Sequence, residues 1–190
     1  MTTTTRPAAV AGLFYPEDPQ ALATMVDADL AEGAARLPRL PRSVETGGRG
    51  PKALVAPHAG YVYSGPVAGT AYAAVAERRG TVSRVVLLGP AHRVALRGMA
   101  VPSVDAFDTP LGSVPVDDAA RRAALECPGV HLDDRPHAQE HGLEVHLPFL
   151  QRVLGLDRWQ VLPVVVGHTT TDQVADVVER LWGGPETLLV

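Results

Sequence analysis

Short apolar runs alternate with amphipathic stretches along most of the chain. Apolar runs at 53–56, 85–88 and 161–166 predict buried strands, and a further strand-like run occupies 187–190. Between these runs, apolar residues recur at helical spacing. This alternation is typical of βαβ units. It predicts a three-layer α/β fold with a mainly parallel central sheet and helices on both faces.

Capping residues mark the predicted ends of the first helices. Asp18 and Pro19 begin a first helix, and Gly33 would end it as a left-handed cap. Ser64 would cap the start of a second helix. The predicted apolar face of that helix consists of Val67, Ala71, Ala74 and Val75.

Three later helices also carry start signals. Asp117 caps one of them, and Thr170 with Gln173 forms a capping box for the last. Between them, Pro148 predicts the first turn of a helix, because proline is comfortable only there.

Two segments rich in glycine and proline predict irregular structure. Residues 33–51 also contain four arginines and few apolar residues, which indicates a flexible surface loop. Residues 98–116 contain several valines among the prolines and glycines. They predict short edge strands and turns.

The composition is that of a folded globular protein. Of the 190 residues, 46% are hydrophobic and 20% are charged, and the formal net charge is −4. These values argue against bulk disorder and against a nucleic-acid partner. The length and the continuous pattern predict a single domain over residues 1–190.

The cysteine count and the apolar runs indicate a cellular compartment. Cys127 is the only cysteine, which excludes an internal disulfide and every multi-cysteine zinc site. No apolar run approaches the roughly 18 residues of a membrane span, and the amino terminus lacks a signal-peptide pattern. We therefore expect a cytoplasmic protein without a membrane partner.

Two histidines follow two consecutive predicted strands of the sheet. His58 comes just after the strand at 53–56, and His92 comes just after the strand at 85–88. A spacing of about one βαβ unit makes the two strands parallel, so both imidazoles would lie at the same edge of the sheet. Neighbouring strands would run about 4.8 Å apart. The sequence predicts a shared site at this edge.

Histidine pairs on rigid elements suit a divalent first-row metal ion. Two histidines with one carboxylate are the ligand set that leaves iron(II) with open positions. For either histidine taken alone, the alternative is a loop residue hydrogen-bonded to backbone. The equivalent placement of His58 and His92 favours the metal site.

A second cluster of acidic residues and histidines occurs at 140–146. If this segment is helical, Glu140 and Glu144 share a face, with His141 on the adjoining edge. Such a cluster suits general acid–base catalysis or the orientation of metal ligands. The alternative is a solvated helix entrance in which Glu144 and His146 form local pairs. The proline that follows also permits an extended or kinked segment.

Five sequence blocks in order cover nearly the whole chain. They are 6–16 (RPAAVAGLFYP), 56–65 (APHAGYVYSG), 88–92 (LGPAH), 108–112 (DTPLG) and 140–148 (EHGLEVHLP). In these blocks the sequence resembles the Memo family, whose microbial members are called AmmeMemoRadiSam system protein B.

The resemblance implies a fold similar to the catalytic (LigB-like) subunit of class III extradiol dioxygenases, which hold non-haem iron in a cleft at the edge of an α/β sheet. It implies a metal ion, iron(II) or copper, at His58 and His92. The implied partners are radical-SAM and AMMECR1-like proteins, and a small molecule or peptide in the cleft. The residues that would line this cleft, with catalytic roles, are Glu140, His141, Glu144 and His146.

The sequence also departs from the family pattern. Gly142 stands where the family block usually has serine. Family members continue beyond a strand such as 187–190 into a Ser-Asp-x-x-His stretch and later supply a cysteine that completes the metal site. Cys127 does not match that cysteine, so the resemblance transfers no third ligand. We therefore expect this chain to be the amino-terminal part of a Memo-like domain.

Three functions follow as hypotheses. The first is a Memo-like metal-binding protein with redox or dioxygenase-type activity in its complete form. The second is a non-catalytic module of the AmmeMemoRadiSam system that binds a peptide or a partner protein. The third, a metal-dependent hydrolase that uses Glu144 as its base, rests only on the cluster at 140–146.

Overall fold

The computed structural model describes residues 3–37 and 50–190. The strands are β1 (Thr5–Arg6), β2 (Arg84–Pro90), β3 (Met99–Val101), β4 (Ala106–Thr109), β5 (Gly112–Pro115), β6 (Val130–Leu132), β7 (Gln160–Val166) and β8 (Thr187–Leu189). The helices are α1 (Pro19–Arg36), α2 (Tyr61–Ala73), α3 (Asp118–Leu125), α4 (Arg135–Ala138), α5 (His141–Glu144), α6 (Leu147–Leu154) and α7 (Thr171–Leu181).

The main sheet has five strands in the spatial order β6-β3-β7-β2-β8. Within the described residues, β2 runs parallel to both β7 and β8, and β3 runs parallel to β6. Only the pairing of β3 with β7 is antiparallel. A smaller sheet contains β1, β4 and β5. The predicted α/β class with a mainly parallel central sheet is confirmed.

The strands of the main sheet bury alternate side chains on opposite faces. Val85 and Leu87 of β2 pack into one core with α1, α2 and α6, whereas Val86 packs into a second core with α3 and α7. The period of two places successive side chains on opposite sides of the sheet. Each fully buried aliphatic side chain contributes roughly 1.5–3 kcal/mol. The two cores make this a three-layer fold, as predicted.

The first helix is longer than predicted because Gly33 lies inside it. A Cβ atom at Gly33 would come within 2.5 Å of the backbone of Gly69 in α2. The glycine therefore permits a close approach of α1 to α2 and does not act as a left-handed cap. The Asp18 cap is confirmed, since its side chain accepts from the backbone N–H of Ala21.

The second helix begins at Tyr61 and not at Ser64, so the predicted start is wrong. Its predicted apolar face is only partly right, since Val67 is 59% exposed whereas Val75, just after the helix, is buried in the core. The hydroxyl of Ser64 donates to the carbonyl of Ala59, inside the first turn. Small residues on the buried face allow α1 to pack closely against it, and two tyrosines are buried beside them. The buried positions are Tyr61, Ser64, Gly65, Ala68, Gly69 and Tyr72.

The segment at 53–56 is not the buried strand that the sequence predicts. Only Ala53 forms a bridge, which pairs it with Leu189 of β8, and Val55 is 99% exposed. Since β8 lies between this segment and β2, the residues leading to His58 and His92 do not lie on neighbouring strands.

Several local predictions are confirmed and two need correction. Asp117 caps α3, and Thr170 with Gln173 forms the capping box of α7. Of the predicted edge strands, β5 lies at an edge of the smaller sheet, whereas β4 lies between β1 and β5, and β3 lies inside the main sheet. Of the predicted loop at 33–51, residues 33–36 belong to α1, whereas 38–49 lie outside the described residues. None of the helices in the described ranges combines the length and apolar composition needed to cross a bilayer.

Candidate metal centre

Three histidines from distant parts of the chain converge at one edge of the main sheet. His58 lies on the segment before α2, His92 follows β2 by two residues, and His141 is the first residue of α5. The ring centroids of His58 and His92 are 5.2 Å apart, and those of His92 and His141 are 4.5 Å apart. One ligand nitrogen from each ring lies within 4.8 Å of the others. The structure therefore brings together the two predicted histidines and adds a third.

Close packing between β2 and α5 brings His141 to this position. A Cβ atom at Gly89 would come within 2.7 Å of the side chain of Leu143. A Cβ atom at Gly142 would lie 3.2 Å from the Cε1 atom of His92. Both glycines leave room for α5 to lie directly against the end of β2, and a serine at position 142 would crowd His92.

Glu140 holds the imidazole of His92 in place. Its Oε2 atom accepts from the backbone N–H of His92 at 2.7 Å, and its Oε1 atom lies 2.7 Å from His92 Nδ1. Oε1 also accepts from the backbone N–H of Gly142 at 2.9 Å. Burial opposes ionisation of this carboxyl, but these bonds outweigh it and lower the pKa of Glu140. An ionised carboxylate only accepts, so His92 Nδ1 carries a proton toward Glu140, and Nε2 is the ring nitrogen that can face a metal ion.

The two other histidines of the cluster are held in their neutral form. Burial is the largest cause that lowers the pKa of His58, followed by the nearby ring of His92. Burial also lowers the pKa of His141, against the opposing effect of Glu140. Neutral imidazoles offer the lone pairs that a metal ion requires.

One buried ring nitrogen of the cluster lacks a hydrogen-bond partner among the described residues, which fits a metal ligand. His141 Nδ1 is buried and has no hydrogen-bond partner among the described residues, although it lies 3.4 Å from Glu140 Oε1. A buried polar atom without a partner costs about 1–3 kcal/mol, so such atoms mark functional positions. Three clustered imidazoles beside an ionised carboxylate fit a divalent first-row metal ion.

An open groove of about 710 Å³ leads to the cluster. The ring of Phe14 lies 4.7 Å from the ring of His141 and forms one wall. The groove is mainly apolar apart from His58 and His141. Its remaining lining residues are Val55, Ala56, Pro57, Ala59 and Gly60.

The candidate residues at 140–146 separate into three environments. Glu140 and His141 lie with the histidine cluster. His146 is buried behind it, with its ring 6.4 Å from that of His58, and burial lowers its pKa to about 3.

Glu144 occupies the third environment, facing the amino-terminal segment. It is fully buried, pairs with Arg6, and accepts hydrogen bonds from the backbone N–H groups of Ala9 and Val10 and from the hydroxyl of Tyr15. Both of its oxygens are occupied by these donors. This placement corrects the expectation that Glu144 lines the cleft and leaves it without access to a substrate as a hydrolytic base.

Sequence reasoning missed the amino-terminal contribution to the site. Phe14 forms a wall of the groove, and Arg6 contacts the segment that carries Glu140. Both residues lie in the block at 6–16 that carries the first part of the family resemblance. That block was the available signal, but nothing in it specifies which distant residues it contacts.

The fold and the histidine cluster define an α/β protein with a candidate metal centre at a sheet edge. A family model described as "Memo-like protein" matches residues 6–186. The chain belongs to this family. It is 40% identical over 187 residues to a MEMO1 family protein of Methanopyrus kandleri, an alignment that covers 93% of this chain and 64% of the relative.

Two further relatives show a similar relation. A MEMO1 family protein of Aquifex aeolicus is 39% identical over 161 residues, covering 85% of this chain and 54% of the relative. A MEMO1 family protein of Thermotoga neapolitana is 37% identical over 185 residues, covering 95% of this chain and 66% of the relative. The chain thus spans about three fifths of the length of the curated relatives it matches.

Proposed function

We propose that this chain binds a divalent first-row transition metal ion, iron(II) or copper, through His58, His92 and His141. The observation that carries the proposal is the convergence of three imidazole nitrogens within 4.8 Å of one another. The neutral state of His58 and His141 supports it, because protonated rings cannot ligate. Glu140 supports it further by leaving His92 Nε2 free.

The metal ion, when bound, would supply the redox or dioxygenase-type chemistry that the family resemblance implies for the complete protein. The chain's own residues would prepare the site. Glu140 keeps the proton of His92 on Nδ1 and so fixes the orientation of the ring. The ring of Phe14 packs beside that of His141 and covers part of it. A substrate in this groove would be a small molecule with apolar surface.

The test is metal content after purification under reducing conditions and dialysis against iron(II) or copper. Single substitutions of His58, His92 and His141 by alanine should each reduce the bound metal severalfold. His131→Ala is the matched control, because His131 is an exposed histidine on β6, away from the cluster. Equal metal in the wild type and in all three cluster variants would contradict the proposal.

Exposed apolar residues favour a second candidate function, a non-catalytic module that binds a peptide or a partner protein. Val55 lines the groove, and Leu13 lies next to Phe14 in sequence. Val62 and Tyr63 lie within three residues of Gly60. The exposed fractions of these side chains are 81% for Leu13, 99% for Val55, 83% for Val62 and 86% for Tyr63. Exposed apolar surface beside a groove is typical of interaction sites.

Metal-free protein separates the two functions. The partner hypothesis expects radical-SAM or AMMECR1-like proteins, or an apolar peptide, to bind without metal and to be displaced by Ala59→Trp, which fills the groove. Ala59 is exposed and lines the groove, so this change leaves the core intact. Oxygen uptake with turnover of a catechol by the metal-loaded protein, lost in His92→Ala, would instead favour the dioxygenase-type function.

A further inference from the structure

Arg6 is a buried cation that lies far from the histidines in sequence but contacts the segment that carries one of them. Its residue is only 5% exposed. Its Nε atom donates to the carbonyl of His137 at 3.0 Å, and one terminal nitrogen donates to the carbonyl of Glu140 at 2.8 Å. The other terminal nitrogen pairs with the carboxylate of Glu144. One planar group thus holds three points between residues 137 and 144.

The contact at Glu140 lies where the chain enters the candidate metal centre. The carbonyl that accepts from Arg6 directly precedes His141, one of the three clustered histidines. The side chain of the same residue, Glu140, holds the ring of His92 at 2.7 Å. A shift of the backbone at Glu140 would therefore move His141 and disturb His92 together.

Arg6 is itself held on a fixed support. It belongs to β1 and pairs in register with Phe107 of β4, and its guanidinium lies 5.3 Å from the centroid of the Phe107 ring. The residues that follow Arg6 are bound to α5, because the backbone N–H groups of Ala9 and Val10 donate to Glu144 of that helix at 2.8 and 3.0 Å. The small sheet therefore holds α5 in a defined position through Arg6 and the residues that follow it.

We propose that Arg6 is a positioning residue for the candidate metal centre, acting through Glu140 on His92 and His141. The inference rests on the proposed function for its role in metal binding. A fork of several N–H donors in one plane is required to reach two carbonyls and a carboxylate at once. A lysine ammonium is a compact charge on a flexible stem and does not reproduce that geometry.

The experiment compares Arg6→Lys with Arg84→Lys as a matched control. Arg84 is a partly buried arginine whose Nε atom donates to Asp117 at 2.6 Å, in an ion pair that does not involve the histidine cluster. Two measurements are made on folded protein. The first is the ¹⁵N-edited NMR signal of the His92 Nδ1 proton without metal, and the second is the affinity for Co²⁺, followed by its visible absorption spectrum.

Arg6→Lys should weaken Co²⁺ binding at least tenfold, the range typical of partners that orient metal ligands, and should shift or abolish the His92 Nδ1 signal. Arg84→Lys should leave both unchanged even if it lowers the melting temperature. A purely structural role of Arg6 would lower the melting temperature alone. Unchanged affinity and an unchanged signal in folded Arg6→Lys would overturn the inference.

Two further controls keep the result decisive. If Arg6→Lys does not fold, Glu144→Gln removes the charge of the partner and keeps its shape, and it should move both measurements in the same direction by a smaller amount. No change in that variant would overturn the inference. If the wild type binds no Co²⁺, the proposed function fails, and the metal-free signal of His92 still decides whether Arg6 positions this ring.

Discussion

Protonation of His137, a buried residue of α4, gives a quantitative test of the contacts between α4, Arg6 and β3. Its ring is 2% exposed, and its Nε2–H donates to the carbonyl of Ala100 at 3.1 Å. Its Nδ1 atom is buried without a hydrogen-bond partner in the described part of the chain. Adding a proton to Nδ1 would place a second buried cation close to Arg6.

The magnitude follows from the pKa of this ring in the folded and unfolded states. Burial is the main cause that lowers the pKa of His137 from 6.5 to about 4, with Arg6 contributing and the bond to Ala100 opposing. As the pH falls below 6.5, the unfolded chain therefore binds the proton first. The stability from the neutral ring is fully present above that pH and decreases below it. At pH 5 the loss is about 2 kcal/mol.

The assay is urea-induced unfolding of metal-free protein at pH 7.5 and pH 5. His137→Gln keeps a donor for the carbonyl of Ala100 but does not titrate, so its free energy of unfolding should fall by about 2 kcal/mol less than that of the wild type between these two pH values. The exposed His131→Gln should parallel the wild type. If His137→Gln loses as much stability as the wild type, the described environment of His137 is incorrect.

Three further predictions follow from particular contacts. Gly33→Ala should destabilise the protein by about 1–3 kcal/mol in urea unfolding despite the higher helix propensity of alanine, because the new Cβ atom would meet the backbone of Gly69 at 2.5 Å. The exposed Ala34→Gly, on the same helix, should cost only about 1 kcal/mol, and a larger loss there would contradict the packing explanation. Glu140→Gln should reduce Co²⁺ affinity about 10–100-fold in equilibrium titration while the protein stays folded, and wild-type affinity would show that Glu140 does not orient His92. Val55→Ser should change stability by less than about 0.5 kcal/mol, because the side chain is 99% exposed, and a larger change in thermal unfolding would reveal a contact that the structure lacks.

The candidate site depends on contacts that span most of the chain. Arg6 and Glu144 are 138 positions apart, and His92 and Glu140 are 48 apart. Because such contacts link separate elements, disturbing the amino-terminal segment should displace the histidine cluster more readily than α3 and α7, which pack on the other face of the sheet. The buried pair of Arg6 and Glu144 is a weak source of net stability, since desolvation offsets its attraction, and a stronger source of fixed geometry.

The helical spacing of Glu140 and Glu144 illustrates what the sequence of one segment does not predict. It predicts that both carboxylates share a face if the segment is helical. In the structure Glu140 is the residue before α5, with an extended backbone, and its side chain accepts from Gly142 N–H and turns toward His92. Glu144 turns toward Arg6 instead. The partners that separate them come from distant residues, which spacing within one segment does not contain.

The positions of His58 and His92 show a related difference. The sequence predicts that they meet at one sheet edge, and their rings lie 5.2 Å apart. The predicted reason, two adjacent strands, is wrong because β8 lies between the segment at 53–56 and β2. Pairing partners within a sheet are set by long-range contacts, and a period of two along one strand does not identify its neighbour.

The sequence by itself determined the α/β class, most of the helix starts and the position of His92 just after a strand, because these depend on local periodicity and on capping residues. Tertiary structure decided that Gly33 permits close helix packing, that His141 joins His58 and His92, and that Glu144 binds Arg6. Each of these depends on the approach of two elements far apart in sequence. The physical reason is that the distances between elements and their hydrogen-bond partners are set only when the helices and sheets pack against one another.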